Sequence, residues 1–325
     1  MNLFMESLRQ MLGAEPRRPG KDDFTEEAKK LHAWKNTPEM REQRRKMIAE
    51  ELAEKKVSYA WRKWRWPTII FINLLFVLSW QLDIQLVEGS LTASRVLGFH
   101  FADLNAALQV MLAFKEVLIN LAIGMATVAI LWWLVGGRSF CAWTCPYHLL
   151  SEWVEILHLK LAEKGWAKDI QLDRRLRPVL WFVFAALSFG TGYMVFEWIS
   201  PVGITSRALI YGTLAGMSWV GVLLLIELFF SRRMWCRYMC PIGLTYAALG
   251  ATAPTVVHYD LEKCLHEGEC RKVCLVPHVL DITIKGRATK DQIDIGADCT
   301  RCAMCIEACP TGALSFRIKG LDKLL

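Results

Sequence analysis

The chain has no cysteine before Cys141, although it has eleven cysteines in all. Most of the eleven fall in ligand-like spacings, which is typical of metal binding in a reducing compartment rather than of a secreted disulfide scaffold. The sequence also lacks a Cys-x2-Cys-His run, which excludes the attachment of a c-type haem. Its N-terminus has no basic stretch followed by an apolar core, so we expect no cleavable signal peptide.

Charge is absent from four long runs of the sequence, although charged residues make up 22% of the chain and hydrophobic residues 54%. These runs are Trp66–Leu82, Val117–Gly137, Pro178–Phe196 and Ala208–Ile226. A helix needs roughly 20 apolar residues to cross a bilayer, with about 17–25 tolerated. The composition therefore predicts four transmembrane helices.

The basic residues beside these runs predict their orientation. Fifteen lysines and arginines, Lys55 and Lys56 among them, flank the runs on one side, whereas the two loops on the other side hold only Arg95, Lys115 and Arg207. Basic residues favour the cytoplasmic face, which predicts a multi-pass protein of the inner (cytoplasmic) membrane with both termini in the cytoplasm. The net charge of +7 comes from basic residues that flank the apolar runs, where they would set the membrane orientation, so we expect no nucleic-acid partner.

The densest cysteine run lies near the C-terminus and consists of Cys299-x2-Cys302-x2-Cys305-x3-Cys309 followed by Pro310. This is the ligand spacing of a bacterial ferredoxin, in which thiolates hold a cubane 4Fe–4S cluster. An upstream run, Cys264-x5-Cys270-x3-Cys274, completes a two-cluster arrangement.

The ligands of the two predicted clusters follow from the rule that the fourth cysteine of each run binds the other cluster. Cluster one would use Cys299, Cys302, Cys305 and Cys274. Cluster two would use Cys264, Cys270 and Cys309, with Glu267 in place of the missing cysteine. A carboxylate suits iron–sulfur chemistry less well than a thiolate does. Cluster two could therefore be a four-iron centre completed by Glu267 or neighbouring His266, a 3Fe–4S centre, or absent.

The remaining four cysteines form two copies of a Cys-x3-Cys-Pro motif, which we call the twin motifs. They are Cys141 and Cys145 before Pro146, and Cys236 and Cys240 before Pro241. Each motif follows an uncharged run, and corresponding cysteines are 95 residues apart, so the chain resembles two copies of one unit, an internal repeat. Pseudo-symmetry between the copies would bring the two pairs together, where four thiolates could hold a third cluster. The alternatives are redox-active dithiols, a Cu(I) or zinc site, and cysteines that only pack.

Taken together, these features resemble the NapH/MauN family of membrane-bound ferredoxins, whose core also occurs in NosR and CcoG. The resemblance covers roughly residues 60–320 and rests on the motifs FCAWTCP, WCRYMCP and CTRCAMCIEACP. It implies a quinol dehydrogenase subunit that takes electrons from quinol in the lipid membrane. It also implies a redox partner, which would be a ferredoxin, a cytochrome or a periplasmic reductase subunit.

The expected fold is mainly α, a four-transmembrane-helix integral membrane protein with a C-terminal cytoplasmic two-cluster ferredoxin-like α+β domain. Residues 1–60 would form a charged helical arm on the cytoplasmic side, either solvated or docking a partner. Residues 61–250 would form the membrane domain with the twin motifs, and residues 251–325 the iron–sulfur domain.

A quinol dehydrogenase also needs a proton acceptor, and ionisable residues at membrane depth are candidates for it. Glu227 follows the fourth uncharged run, ahead of Cys236. Further candidates are Glu197, Asp83, His100 and Asp103, of which the first two could equally be solvated charges at helix ends. Two other functions stay open: an assembly factor that handles metal for a respiratory enzyme, as CcoG does, and an anchor that recruits a redox partner.

Overall fold

A computed structural model describes residues 2–54, 60–83, 87–96 and 98–321, and most of these residues are helical. The α-helices are α1 Leu3–Met11, α2 Glu26–Trp34, α3 Pro38–Glu54, α4 Ala60–Gln81, α5 Leu104–Phe114, α6 Ile119–Val135, α7 Ser139–Trp143, α8 Pro146–Glu163, α9 Leu176–Thr191, α10 Val195–Ile199, α11 Pro201–Tyr211, α12 Met217–Phe229, α13 Pro241–Gly250, α14 Glu269–Lys272 and α15 Met304–Glu307. Short 3-10 turns span Lys21–Asp23 and Pro277–Thr283, and a π-helical turn spans Trp235–Met239.

The strands form two small antiparallel sheets. They are β1 Val87–Ser90, β2 Ala93–Val96, β3 Phe99–Ala102, β4 Thr255–Asp260, β5 Gln292–Asp294 and β6 Leu314–Ile318. The first three make a meander in the order β1-β2-β3. In the second sheet β4 is central, between β5 and β6, with Val257 opposite Phe316 and His258 opposite Asp294.

The four uncharged runs do not become four spanning helices. The second run forms α6, which has 17 residues. The third is cut at Gly192, which ends α9 with a φ of 74°, and the fourth is cut between Gly212 and Gly216. The first lies inside α4, whose first turns carry Arg62, Lys63 and Arg65. A bilayer core is about 30 Å thick and a helix rises about 1.5 Å per residue, so a spanning helix needs about 20 apolar residues.

Two predictions are therefore wrong. Within the described ranges, every helix falls short of a membrane crossing in length, in apolar character or in both. This finding overturns the four-transmembrane-helix fold, and with it the location as a multi-pass inner-membrane protein with cytoplasmic termini. Of the basic residues used for the orientation, Lys55 and Lys56 lie outside the described residues.

The N-terminal helices α1 and α2 pack against the C-terminal domain. The Thr25 N–H donates to Thr289 O at 2.9 Å, and the Ser7 hydroxyl oxygen accepts from Ala297 N at 2.7 Å. Ala28 is fully buried in the same core as Tyr259 of β4. The two ends of the chain therefore form one hydrophobic core around the C-terminal cysteines.

The two copies of the repeat approach each other closely at a pair of glycines. Gly137 has a φ of 72°, which favours glycine, and a Cβ built on it would lie 2.3 Å from the nitrogen of Gly250. Gly137 precedes the first of the twin motifs, and Gly250 ends the helix that follows the second. This contact holds the start of one copy against the end of the other.

Candidate metal centres

The twin motifs have matching backbones. In both motifs the backbone N–H of the second cysteine donates a hydrogen bond to the carbonyl oxygen five residues earlier. Cys145 N donates to Phe140 O at 3.2 Å, and Cys240 N donates to Trp235 O at 2.8 Å. Cys145 has φ −67° and ψ 118°, and Cys240 has φ −72° and ψ 109°. The proline that follows each then begins α8 or α13, since proline suits the first helical position. Each motif is thus a wide turn that presents two sulfurs before a helix start.

All four cysteines of the twin motifs line one cavity, which we call the twin-motif cavity. The other lining residues include Phe140, Tyr147, His148, Trp235 and Ile242. Its empty space, counted out to its opening, is about 530 Å³. The structure therefore brings the two pairs together from opposite halves of the repeat, as the duplication suggests.

Burial makes these thiols reluctant to ionise by themselves. It raises the pKa of Cys141, although the Arg138 guanidinium offsets part of that rise. Burial also raises the pKa of Cys240 to about 12 and the pKa values of Cys145 and Cys236 well above the usual range. A thiolate must lose its proton to bind metal, so iron would have to displace these protons on binding.

Cationic side chains surround the cavity and suit an anionic cluster. Arg138 and Arg233 stand three residues before the first cysteine of each motif, and both are buried and line the cavity. One Arg138 nitrogen donates to Cys236 O at 3.2 Å, and Arg233 donates to His148 Nε2 at 3.0 Å. Burial and the Arg233 charge lower the pKa of His148, which keeps its ring neutral. A cluster held by four thiolates carries net negative charge, which these guanidiniums would offset.

The four cysteines assigned to cluster one lie within electrostatic range of one another. Burial raises the pKa of Cys305, and the neighbouring sulfurs of Cys274, Cys299 and Cys302 raise it further. Ala303, in the loop between these ligands, adopts a φ of 63°, which turns the chain tightly. The structure thus groups Cys274 of the upstream run with the C-terminal run, as the crossed assignment requires.

The residues assigned to cluster two line a second cavity of about 320 Å³ of empty space, counted in the same way. Its lining includes Cys264, Cys270, Cys309, Glu267 and His266. His266 Nδ1 donates to Thr283 O at 2.8 Å and lies 3.7 Å from the Cys264 sulfur. Both proposed replacements for the missing cysteine are therefore placed at this site.

Lys35 of the N-terminal segment reaches the edge of this second site. Its ammonium group is buried and donates to the backbone oxygens of Leu261 and Cys264. Burial raises the pKa of Cys264, and the Lys35 charge is among the influences that lower it. The packing of the chain's two ends thus places a cation beside the candidate site for cluster two.

A buried ionic node, which we call the Asp298 node, joins the twin-motif cavity to cluster one. Asp298 directly precedes Cys299, and its carboxylate accepts from Arg138 at 2.7 Å and from Arg177 at 2.8 Å, while His278 Nε2 lies 2.8 Å from its other oxygen. Burial alone would raise the pKa of Asp298, but the two guanidiniums hold it well below its usual range. Sequence inspection missed this node, although the matching position of Arg138 and Arg233 before each motif was a signal.

Glu227 lies beside the second motif, and each of its two carboxylate oxygens accepts a hydrogen bond. It accepts from the Ser151 hydroxyl at 2.6 Å and from Trp235 N at 3.0 Å. Burial raises its pKa, and the hydrogen bonds from Ser151 and from Trp235 N partly oppose that rise. These contacts make Glu227 a support for the π-helical turn that carries Cys236.

Neither disulfides nor single-ion geometry is found among these cysteines. All eleven are free thiols. Among the described residues, no three His, Cys, Asp or Glu side chains lie close enough to hold one metal ion. A cubane does not require such closeness, because each thiolate binds a different iron.

Comparison with known proteins gives a family match at the twin motifs. A family model described as a 4Fe-4S binding domain matches residues 118–162 and 213–252, which contain one motif each. The methylamine utilization ferredoxin-type protein MauN of Methylorubrum extorquens is 32% identical over 278 residues, which cover 84% of this chain and 94% of that protein. The ferredoxin-type protein NapH of Escherichia coli is 29% identical over 82% of this chain and 93% of its own length. No solved structure matches the chain.

Proposed function

This chain belongs to the family of MauN and NapH ferredoxin-type proteins, and we propose that it oxidises a quinol and passes the electrons through iron–sulfur clusters to a redox partner protein. Its general role as an iron–sulfur electron-transfer protein follows from the family and from the 4Fe-4S binding domain. The resemblance noted from the motifs is thus confirmed. The observation that carries the finer proposal is the meeting of the twin motifs in one cavity beside cluster one.

The chain offers candidate ligands for three clusters. Cys141, Cys145, Cys236 and Cys240 would hold one cluster, and Cys274, Cys299, Cys302 and Cys305 would hold cluster one. Cys264, Cys270 and Cys309, with Glu267 or His266, would hold cluster two. A bound 4Fe–4S cluster supplies storage of single electrons, at a potential set by charge, hydrogen bonds and solvent exposure.

The three sites follow one another through directly adjoining residues. Leu275, Val276 and Thr300 line the twin-motif cavity, and they are close neighbours in sequence of the cluster-one ligands Cys274 and Cys299. Burial raises the pKa of Cys274, and Cys270 of the second site is among the neighbouring sulfurs that raise it further. The order of sites is therefore twin-motif cavity, cluster one, cluster two. In this proposal, electrons enter at the twin motifs and leave from the C-terminal domain.

The protein around these sites would hold charge and exclude water. Arg138 contacts both the second motif, through Cys236 O, and the Asp298 node. Its buried charge would stabilise added negative charge at both neighbouring clusters. Asp298 pairs with Arg138 and Glu155 pairs with Arg233, so part of each positive charge is already balanced by a carboxylate.

Anaerobically prepared, cluster-loaded protein tests the proposal when it is mixed with decylubiquinol. We expect quinol to bleach the visible absorption of the clusters, because the chain holds both the entry and the exit sites. Dithionite provides the control, since it reduces clusters without needing a quinol site. Reduction by dithionite but not by decylubiquinol or a menaquinol analogue would contradict the proposal and favour an assembly factor that handles metal.

A further inference from the structure

A third cavity shares Phe140 of the first motif's helix with the twin-motif cavity, and we call it the Asp103 pocket. It is mostly apolar, and its lining includes Phe76, Val128, Leu131, Trp132 and Phe140. Its cavity volume is about 240 Å³. Ligand pockets are typically apolar with a few placed polar groups. The pocket thus has the character to take a single small aromatic ring.

Two polar side chains face this apolar pocket as a hydrogen-bonded pair. Asp103 and Tyr246 both line it, and the Tyr246 hydroxyl donates to Asp103 Oδ1 at 3.0 Å. Both residues are otherwise buried. Burial raises the pKa of Asp103, while hydrogen bonds from Ala106 N, Tyr246 and Asn105 N oppose that rise. A buried carboxylate of this kind takes a proton more readily than a solvated one.

Asp103 also has a structural role, as the N-cap of α5. Its Oδ2 accepts from Asn105 N at 3.0 Å and from Ala106 N at 3.1 Å. Oδ2 accepts both capping hydrogen bonds. Oδ1 accepts only the hydrogen bond from Tyr246 among these contacts, so it keeps a second lone pair for a ligand. A cap alone has no need of an apolar cavity beside it, so the two roles are separable by substitution.

Phe140 separates this pocket from the candidate cluster site. Its ring lines both the Asp103 pocket and the twin-motif cavity, and it directly precedes Cys141. It stacks on Tyr246 with ring centroids 4.6 Å apart and planes 14° apart. Thr144, the residue before Cys145, lines the pocket as well. A molecule in the pocket would therefore lie one side chain away from a one-electron acceptor.

We propose that the Asp103 pocket binds the head group of a quinol and that Asp103 accepts a proton from one of its hydroxyls. The pocket's role rests on the proposed function, since the electrons must leave to the clusters of this chain. Oxidation of the quinol to the quinone breaks two O–H bonds and releases two protons and two electrons. One proton would go to Asp103 Oδ1 and the other to water, and bound iron–sulfur clusters would supply one-electron acceptors for the two electrons.

The Asp103→Asn variant tests the proton acceptor. Asparagine caps a helix about as well as aspartate, so α5 should be kept. We expect this variant to bind oxidised decylubiquinone as the unmodified chain does in calorimetry. Its clusters should be reduced by decylubiquinol roughly 100-fold more slowly or worse, which is the usual loss when a general base is removed. Reduction by dithionite should not change.

The Glu6→Gln variant is the matched control for charge. Glu6 is a buried carboxylate that pairs with Arg9 at 3.0 Å and does not line the pocket. The clusters of this variant should be reduced by quinol at close to the unmodified rate. An Asp103→Asn variant that is reduced by quinol as fast as Glu6→Gln would overturn the assignment of Asp103 while leaving the proposed function intact.

A second pair of variants tests the pocket by binding alone. Leu131 lines the pocket, whereas Leu134, on the same helix α6, does not, and their exposed fractions are similar at 45% and 50%. We expect Leu131→Trp to weaken decylubiquinone binding at least about tenfold and Leu134→Trp to leave it unchanged. Equal binding in both variants would place the quinone elsewhere, and no binding by the unmodified chain would overturn the pocket proposal. Weaker quinone binding by Leu131→Trp alone would support the pocket even if quinol reduced no cluster.

Discussion

Replacing Cys141 and Cys236 together by serine should remove roughly four irons and four sulfides per chain, the content of one cubane. Each substitution takes one sulfur from each half of the twin-motif cavity, and a hydroxyl is a poor partner for iron compared with a thiolate. The iron and sulfide analysis should show the C-terminal clusters intact, because their ligands lie in a separate core. Reduction by quinol should be lost, since its first electron acceptor is missing.

A nearby substitution controls for damage to the fold. Met239 lies between Cys236 and Cys240, and Met239→Leu nearly conserves volume, so it should cost less than about 1.5 kcal/mol. This variant should keep the full iron content. If the double serine variant also kept all of its iron, the twin motifs would be dithiols or packing residues, and the third cluster would have to be abandoned.

Replacing Asp298 by asparagine should lower the free energy of unfolding by about 3–5 kcal/mol, the usual cost of removing one partner of a buried ion pair. Asp298 is 1% exposed and faces Arg138 and Arg177, which are also buried. Without its charge, two guanidiniums would be left uncompensated between the repeat and the C-terminal domain. Urea denaturation of the anaerobic protein, followed by tryptophan fluorescence, measures the loss.

Asp294→Asn is the matched comparison for that experiment. Asp294 also accepts from a histidine, His258, at 2.9 Å, but its side chain is 32% exposed. A solvated pair of this kind is worth at most about 1 kcal/mol, so the variant should unfold close to the unmodified protein. Similar midpoints for Asp298→Asn and Asp294→Asn would mean that the node does not tie the two parts of the chain together.

The grouping of the cysteines could be predicted from the sequence because the spacing between metal ligands is a local constraint on the chain. The spacing of Cys299, Cys302 and Cys305 restricts the loop between them wherever it lies in a fold. The contact between the twin motifs could be predicted for a different reason, because two copies of one unit favour a pseudo-symmetric arrangement. Their ligand roles stay predictions until iron is measured.

Other features depend on contacts between distant residues and left no local pattern. Asp103 and Tyr246 are 143 residues apart, and Arg138 and Asp298 are 160 apart. The membrane prediction failed for a related reason. An uncharged run records composition, but Gly192 and Gly212 end helices inside such runs, and neither end was visible in the apolar content.

Iron and acid-labile sulfide counting of the anaerobically purified chain, combined with low-temperature EPR, tests the central claim most directly. The account predicts roughly eleven or twelve irons per chain, from two cubanes and a third centre of three or four irons. Reduced protein should show interacting cluster signals from neighbouring sites. Colourless protein without iron, with its eleven cysteines oxidised to disulfides or occupied by zinc, would contradict the account.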